Sequence, residues 1–123
     1  MALRIAAEGR DVVIADLLEE QGKKTAKEIA ALGQRAIFVL TDVTIEEEVV
    51  AAAEAAINAF KRLDILVCAA GVLGLEAPFH EQSAKQFAKV LEINLHGVYH
   101  AHQAAIPHMR AGGWGRCVTI TSG

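Results

Sequence analysis

Short β-branched apolar runs alternate along this chain with longer stretches whose apolar positions recur every three or four residues. The clearest short run is Leu63–Gly71, LDILVCAAG. It is almost wholly apolar and ends in small residues and a glycine. That pattern predicts a strand, Asp64–Cys68, buried on both faces of a parallel sheet, with a tight turn beyond it. Val12–Ala15 (ending at Asp16), Ala36–Leu40 (running into Thr41-Asp42-Val43) and Arg116–Thr121 have the same character.

The intervening segments read as helices. Residues 2–8 are helix-forming and stop at Gly9, a suitable C-terminal cap. Leu17–Leu32 is amphipathic, with Leu18, Ala26, Ile29 and Leu32 on one face, Lys23, Lys24 and Lys27 on the other, and Gly33 closing it. Thr44-Ile45-Glu46-Glu47 has the form of a capping box. It opens a helix with a stripe of Val49, Val50, Ala53, Ile57 and Phe60 that ends near Lys61-Arg62. Ser83-Ala84-Lys85-Gln86 repeats the capping pattern before a helical region reaching about Met109, with Asn94 in its middle. Gly112, Gly113 and Gly115 then break the chain before the fourth strand.

Strands alternating with helices predict one α/β domain over residues 1–123, a parallel sheet with right-handed crossovers. Ligands of such sheets bind beyond the carboxyl ends of the strands. Asp16, Asp42, Ala69–Gly71 and Ser122 all fall just past predicted strand ends, so one rim of the sheet collects them.

Composition narrows the classes. The chain has 123 residues, 53% hydrophobic, with net charge −3 and both signs mixed, so no basic block points to nucleic acid or an anionic membrane. The longest uncharged apolar run, Ile65–Leu75, is shorter than the ~20 helical residues that span a bilayer. Met1-Ala2-Leu3-Arg4 lacks a signal-peptide layout. Cys68 and Cys117 lie in predicted strands and read as buried reduced thiols, in keeping with a cytoplasmic protein.

Each rim residue admits two readings. Asp16 suits a vicinal ribose diol and would repel a 2′-phosphate, which the following Leu17 has no charge to offset; equally, Asp16 suits the start of the next helix. Asp42 suits an adenine amino group, with Val43 over the ring, or simple turn chemistry. Ala69-Ala70-Gly71 suits close approach of a ribose, or tight strand–helix packing. Asn94 is costly in mid-helix unless its side chain has work to do, bending the helix and holding a water; the other reading is an exposed Asn of little consequence. Ser122 suits a substrate oxygen or a turn. His96 and His100 stand one helical turn apart, but no local carboxylate or cysteine completes a ligand set, so no metal is expected.

In order, these motifs resemble the classical short-chain dehydrogenase/reductase family along essentially the whole chain. GRDVVIAD resembles its second strand, which implies Asp16 as the residue favouring NAD over NADP. TDVT resembles its third strand end, which implies Asp42 and Val43 at the adenine. LVCAAG stands in the place of the family's N-N-A-G signature, with Cys68 and Ala69 replacing the asparagines. INLHG resembles the N-x-x-G segment, which implies that Asn94 orders a relay water. VTITSG resembles the strand ending in the catalytic serine, which implies Ser122. The resemblance therefore implies a Rossmann-like doubly wound sheet, NAD as cofactor, an alcohol or carbonyl substrate, and a homo-oligomeric parent enzyme.

Two family features have no counterpart here. No T-G-x-x-x-G-x-G turn occurs, and the only tyrosine, Tyr99, is followed at the lysine position by Gln103. The expectation is an internal segment of such an enzyme, inactive alone. In the family order 3-2-1-4-5 the first strand lies between those read here as Val12–Ala15 and Asp64–Cys68. Two outcomes follow: closure into a flavodoxin-like sheet, or strands that stay apart in family-like positions. The second is expected, because helix packing onto each half is encoded locally. The alternatives to an enzyme segment are a non-catalytic nucleotide-binding module that keeps Asp16, Asp42 and Ala69–Gly71, and an interaction module of flavodoxin-like topology.

Overall fold

The structure, a computed structural model, describes residues 1–74 and 76–121. Helix α1 (Ala2–Ala7) leads into strand β1 (Val12–Asp16), α2 (Glu19–Ala31), β2 (Ala36–Leu40), α3 (Glu46–Phe60) and β3 (Ile65–Cys68). After a short 3-10 turn at Phe79–Glu81 come α4 (Ala84–Leu91), a π-helical turn (Glu92–His96), α5 (Gly97–Ala111) and β4 (Arg116–Thr119). Gly9 and Gly33 follow α1 and α2 at φ +85° and +86°, the left-handed conformation that ends a helix without strain only at glycine.

Among the described residues the strands form two parallel pairs. β1 pairs with β2 in the register Val12↔Ala36 to Asp16↔Leu40, and β3 pairs with β4 from Ile65↔Arg116 to Cys68↔Thr119. Asp11 and Arg35 lock the entrance of the first pair. The guanidinium and the Arg35 backbone N–H both donate to the Asp11 carboxylate, beside the bond from Val12 N–H to the Arg35 carbonyl. These contacts hold the Asp11 carboxyl below the usual carboxylate range, the Arg35 side chain contributing most.

β1 and β3 are not hydrogen-bonded to each other, so the flavodoxin-like closure does not occur. Helices bridge the separation instead. α1 and α2 pack together on β1 and, through α2, on β2; α3 lies on β1 and against α5, which lies on β3. Contacting helices stand about 8–10 Å apart, roughly two strand spacings, so α3 over β1 and α5 over β3 leave a lane one strand wide. In a parallel strand alternate residues hydrogen-bond to opposite sides. Val12 and Asp16 bond toward β2, and Asp64 and Cys68 toward β4. The backbone groups of Val13, Ala15, Ile65 and Val67 therefore face the lane.

Burial follows from this arrangement. Ile29 is the largest fully enclosed side chain among the described residues, worth roughly 1.5–3 kcal/mol. Leu18 and Leu32, the cap residues at the two ends of α2, stay exposed, Ala26 is half-buried, and Gly22 is buried where a Cβ would stand 2.2 Å from the Phe38 ring. On α3 the buried positions are Val49, Ala52 and Ala56, and Val50 turns outward. Cys117, expected buried, is exposed on β4, the outer strand of its pair; Cys68 is buried as expected. No helix among the described residues is long and apolar enough to cross a membrane.

Amide hydrogen exchange tests the lane. Val13, Ala15, Ile65 and Val67 are expected to exchange markedly faster than Ile14 and Leu66, which point toward their partner strands. Equal protection across each strand would mean that β1 and β3 close on one another in solution.

Candidate functional site

Asp16, Asp42 and Ala69–Gly71, singled out above, stand at the exits of β1, β2 and β3. At the end of β1, Asp16 accepts a hydrogen bond on Oδ1 from Leu18 N–H at 3.0 Å, and its carbonyl accepts from Thr41 N–H. The carboxylate thus helps to start α2, whose N-cap is Leu18. Its second oxygen takes no bond among the described residues, and the side chain is exposed beside an exposed Leu17. The helix-start reading and an open diol acceptor are therefore compatible.

At the end of β2, Thr41 is buried and its hydroxyl donates to the Val39 carbonyl. Asp42 Oδ1 accepts from both the Thr44 hydroxyl (2.7 Å) and the Thr44 N–H (2.9 Å), and Asp42 N–H donates to Glu48 Oε2 at 2.7 Å. These contacts replace the capping box predicted at Thr44. The Thr44 N–H that a capping box would give to Glu47 goes to Asp42 instead, and α3 starts at Glu46 with Ile45 as a cap that makes no side-chain bond. The Thr44 hydroxyl, then its N–H, draws the Asp42 carboxyl below its usual range.

At the end of β3, Ala69, Ala70 and Gly71 are exposed. A Cβ on Gly71 would reach Asn94 Oδ1 at 3.5 Å, an ordinary contact, so packing alone does not require glycine there. The next residue is held firmly. Val72 N–H donates to Asn94 Oδ1 and Asn94 Nδ2 donates to the Val72 carbonyl, both at 2.8 Å. Asn94 sits within the π turn, where the widened ring reaims the side chain. The helix is locally widened there, and the side chain grips backbone. Ser122 lies outside the described residues.

Sequence reasoning missed the contacts that bring these exits together. Val43 packs on α5 where Gly97 has no side chain; a Cβ there would come within 2.7 Å of Val43 Cγ2. One turn along α5, the His100 ring contacts the Val43 carbonyl through Nδ1 at 3.0 Å. The i, i+3 spacing of Gly97 and His100 was visible; their common partner 54 and 57 residues earlier was not. Deeper in, His102 Nδ1 donates to the Val98 carbonyl at 2.8 Å and stands 4.0 Å from Cys68 Sγ. Burial, followed by the nearby Cys117, pushes the Cys68 thiol up, which keeps it a protonated core group rather than a nucleophile.

The family model for short chain dehydrogenases matches residues 1–123. The chain belongs to this family. A cis-4-hydroxycyclohexanecarboxylate dehydrogenase of Sinomonas cyclohexanicum is 38% identical over 118 residues, covering 96% of this chain and 47% of that protein. A 2-dehydro-3-deoxy-L-rhamnonate dehydrogenase (NAD(+)) of Sphingomonas sp. (strain SKA58) is 35% identical over 122 residues, covering 99% of this chain and 47% of that protein. An NAD+-bound xylitol dehydrogenase superposes with a TM-score of 0.94 at 32% identity, over 98% of this chain and 46% of that one. A 7α-hydroxysteroid dehydrogenase complexed with NADH and 7-oxo glycochenodeoxycholic acid gives a TM-score of 0.90 at 32% identity, over 98% of this chain and 48% of that one. The short-chain dehydrogenase segment described here spans about half the length of the curated relatives it matches. These superpositions match the parallel α/β arrangement of the chain to the Rossmann fold of the family.

The Asp42 cap carries a definite pH dependence. Its folded pKa lies below the ordinary 3.8, so its stabilisation is complete above that value and lost as pH falls through the folded pKa. Thr44→Val is expected to be less stable than the parent near neutral pH, with the difference in urea midpoint shrinking below pH 3.8. A difference that stays constant down to pH 2 would assign the effect to packing.

Proposed function

We propose that this chain forms the adenosine-binding part of an NAD(H)-dependent oxidoreductase that moves hydride between the cofactor and a small alcohol or carbonyl compound. The observation carrying this reading is the pairing Asp16↔Leu40, which sets Asp16 beside the Thr41–Val43 turn at one rim. An open carboxylate and an apolar residue next to a second carboxylate form a recognition set for ribose and adenine. Asp16 accepts the ribose hydroxyls, and Leu17 beside it leaves a 2′-phosphate without a counter-charge. Asp42 takes the adenine amino group on the oxygen Thr44 leaves open, and Val43 covers the ring. Ala69, Ala70 and Gly71 leave room for the cofactor to lie against backbone. Bound NAD supplies hydride acceptance and donation.

On the catalytic side, Asn94 holds the loop after β3 through Val72 and, in this reading, orders a water that relays protons to solvent. Ser122 orients the substrate oxygen. The described residues include no tyrosine followed four residues on by lysine, Tyr99 being followed by Gln103. General acid–base catalysis, worth ~10²–10⁴-fold, is thus not supplied by these residues. A homo-oligomer of the complete enzyme fits the exposed Leu91, Leu95 and Tyr99 on the α4–α5 surface, and a cytoplasmic setting fits two free cysteines.

Binding of 5′-AMP and of 2′,5′-ADP to the 123-residue chain, followed by NMR shifts, tests the rim. The expected result is binding of 5′-AMP, shifts centred on Asp16 and Asp42, and weaker binding of 2′,5′-ADP. Asp16→Ser is expected to narrow that preference by about tenfold, a charge-repulsion effect of ordinary size. Equal affinities in the parent chain would overturn the assignment of Asp16. Separately, the chain alone is expected to show no NADH oxidation with carbonyl substrates, and measurable turnover would contradict the missing acid–base pair.

A further inference from the structure

We propose that His100 is a positioning residue for the adenine end of the cofactor site, acting through the Val43 carbonyl; this rests on the reading of Val43 as the residue over the adenine ring. A carbonyl only accepts, so the 3.0 Å contact requires the proton on His100 Nδ1. That bond fixes the tautomer and leaves Nε2 as the acceptor of the neutral ring. The edge of the neighbouring Tyr99 ring, with centroids 6.0 Å apart at 61°, further limits how the imidazole can turn.

The turn after β2 needs such a tether. The other hydrogen bonds of residues 42–45 stay within residues 42–49: Asp42 with Thr44, Asp42 N–H with Glu48, and Ile45 with Asp42, Glu48 and Val49. Among the described residues, the His100 bond is the one that leaves this segment. It joins the turn to the helical stretch carrying Asn94, which grips the turn after β3 through Val72. Gly97 lets the Val43 side chain rest on the same stretch. Residues 94–100 thereby hold the exits of both strand pairs across the lane, His100 on the adenine side and Asn94 on the other.

Three substitutions separate positioning from general stability. Asparagine places an amide N–H at the reach of Nδ1, glutamine places it one bond further out, and leucine has none. In 5′-AMP titrations of the 123-residue chain, His100→Leu and His100→Gln are expected to weaken binding about fivefold, the fold-change of one ordinary hydrogen bond. His100→Asn is expected to stay close to the parent. Hydrogen exchange at the Val72 amide, held by Asn94, is expected to be unchanged in all three. Unchanged 5′-AMP affinity in the leucine and glutamine variants overturns the inference alone, as does equal weakening in the asparagine variant. Loss of Val72 protection alongside binding makes His100 a general stabiliser and also overturns it. A parent chain that ignores 5′-AMP overturns the functional reading and this inference with it.

Discussion

Everything at the rim depends on how α5 meets the turn after β2. Among the described residues the strand pairs are not hydrogen-bonded to each other, so their relative placement is set by helices. One of those contacts, Val43 against α5, is possible only because residue 97 has no side chain. Overpacking at such a position costs typically about 1–3 kcal/mol. Here it would also push α5 from Val43 and lengthen the His100 bond. A steric constraint at one backbone atom thus controls whether two distant turns form one surface.

The same arrangement explains why burial is modest. Parallel strands are ordinarily covered on both faces and bonded on both edges. In this chain β1 and β3 each have one bonded edge, and every residue of β4 is exposed. Local devices compensate at the ends of the elements. The Asp11–Arg35 pair fixes register at the start of β1 and β2, and the Arg62 guanidinium bonds both oxygens of Asp64 just before β3. Both lie on the surface, where such pairs contribute little individually, so their main effect is geometric.

What could be read from the sequence depended on how local its cause was. The strands, the glycine helix ends and the Ser83 capping box, formed in full with Gln86, are dictated by neighbours within a few residues. The exits at Asp16, Asp42 and Ala69 followed from those strands. Thr44 is not a cap because Asp42, two residues earlier, takes the backbone N–H that a capping box would give to Glu47. Leu18 and Leu32 satisfied helical periodicity, yet α2 spans only Glu19–Ala31 and leaves both as exposed cap residues. Asn94 was visible as an anomaly within a helix; that its partner is the Val72 backbone, and that His100 reaches Val43, depend on tertiary placement that no window of sequence contains.

The π turn at Glu92–His96 has a consequence for how this segment tolerates insertions and deletions. Each residue added to or removed from an α-helix rotates everything beyond it by about 100°. The wide turn absorbs one extra residue between α4 and α5. It thereby sets the rotational phase at which Asn94 faces one turn while Gly97 and His100 face another. Deleting one residue there would restore a regular helix and still break the site, since either the amide or the glycine–histidine face would be turned away. Length variation among homologues should therefore fall in the loop before Ser83 or the glycines after Ala111, and spare the interval from Asn94 to His100.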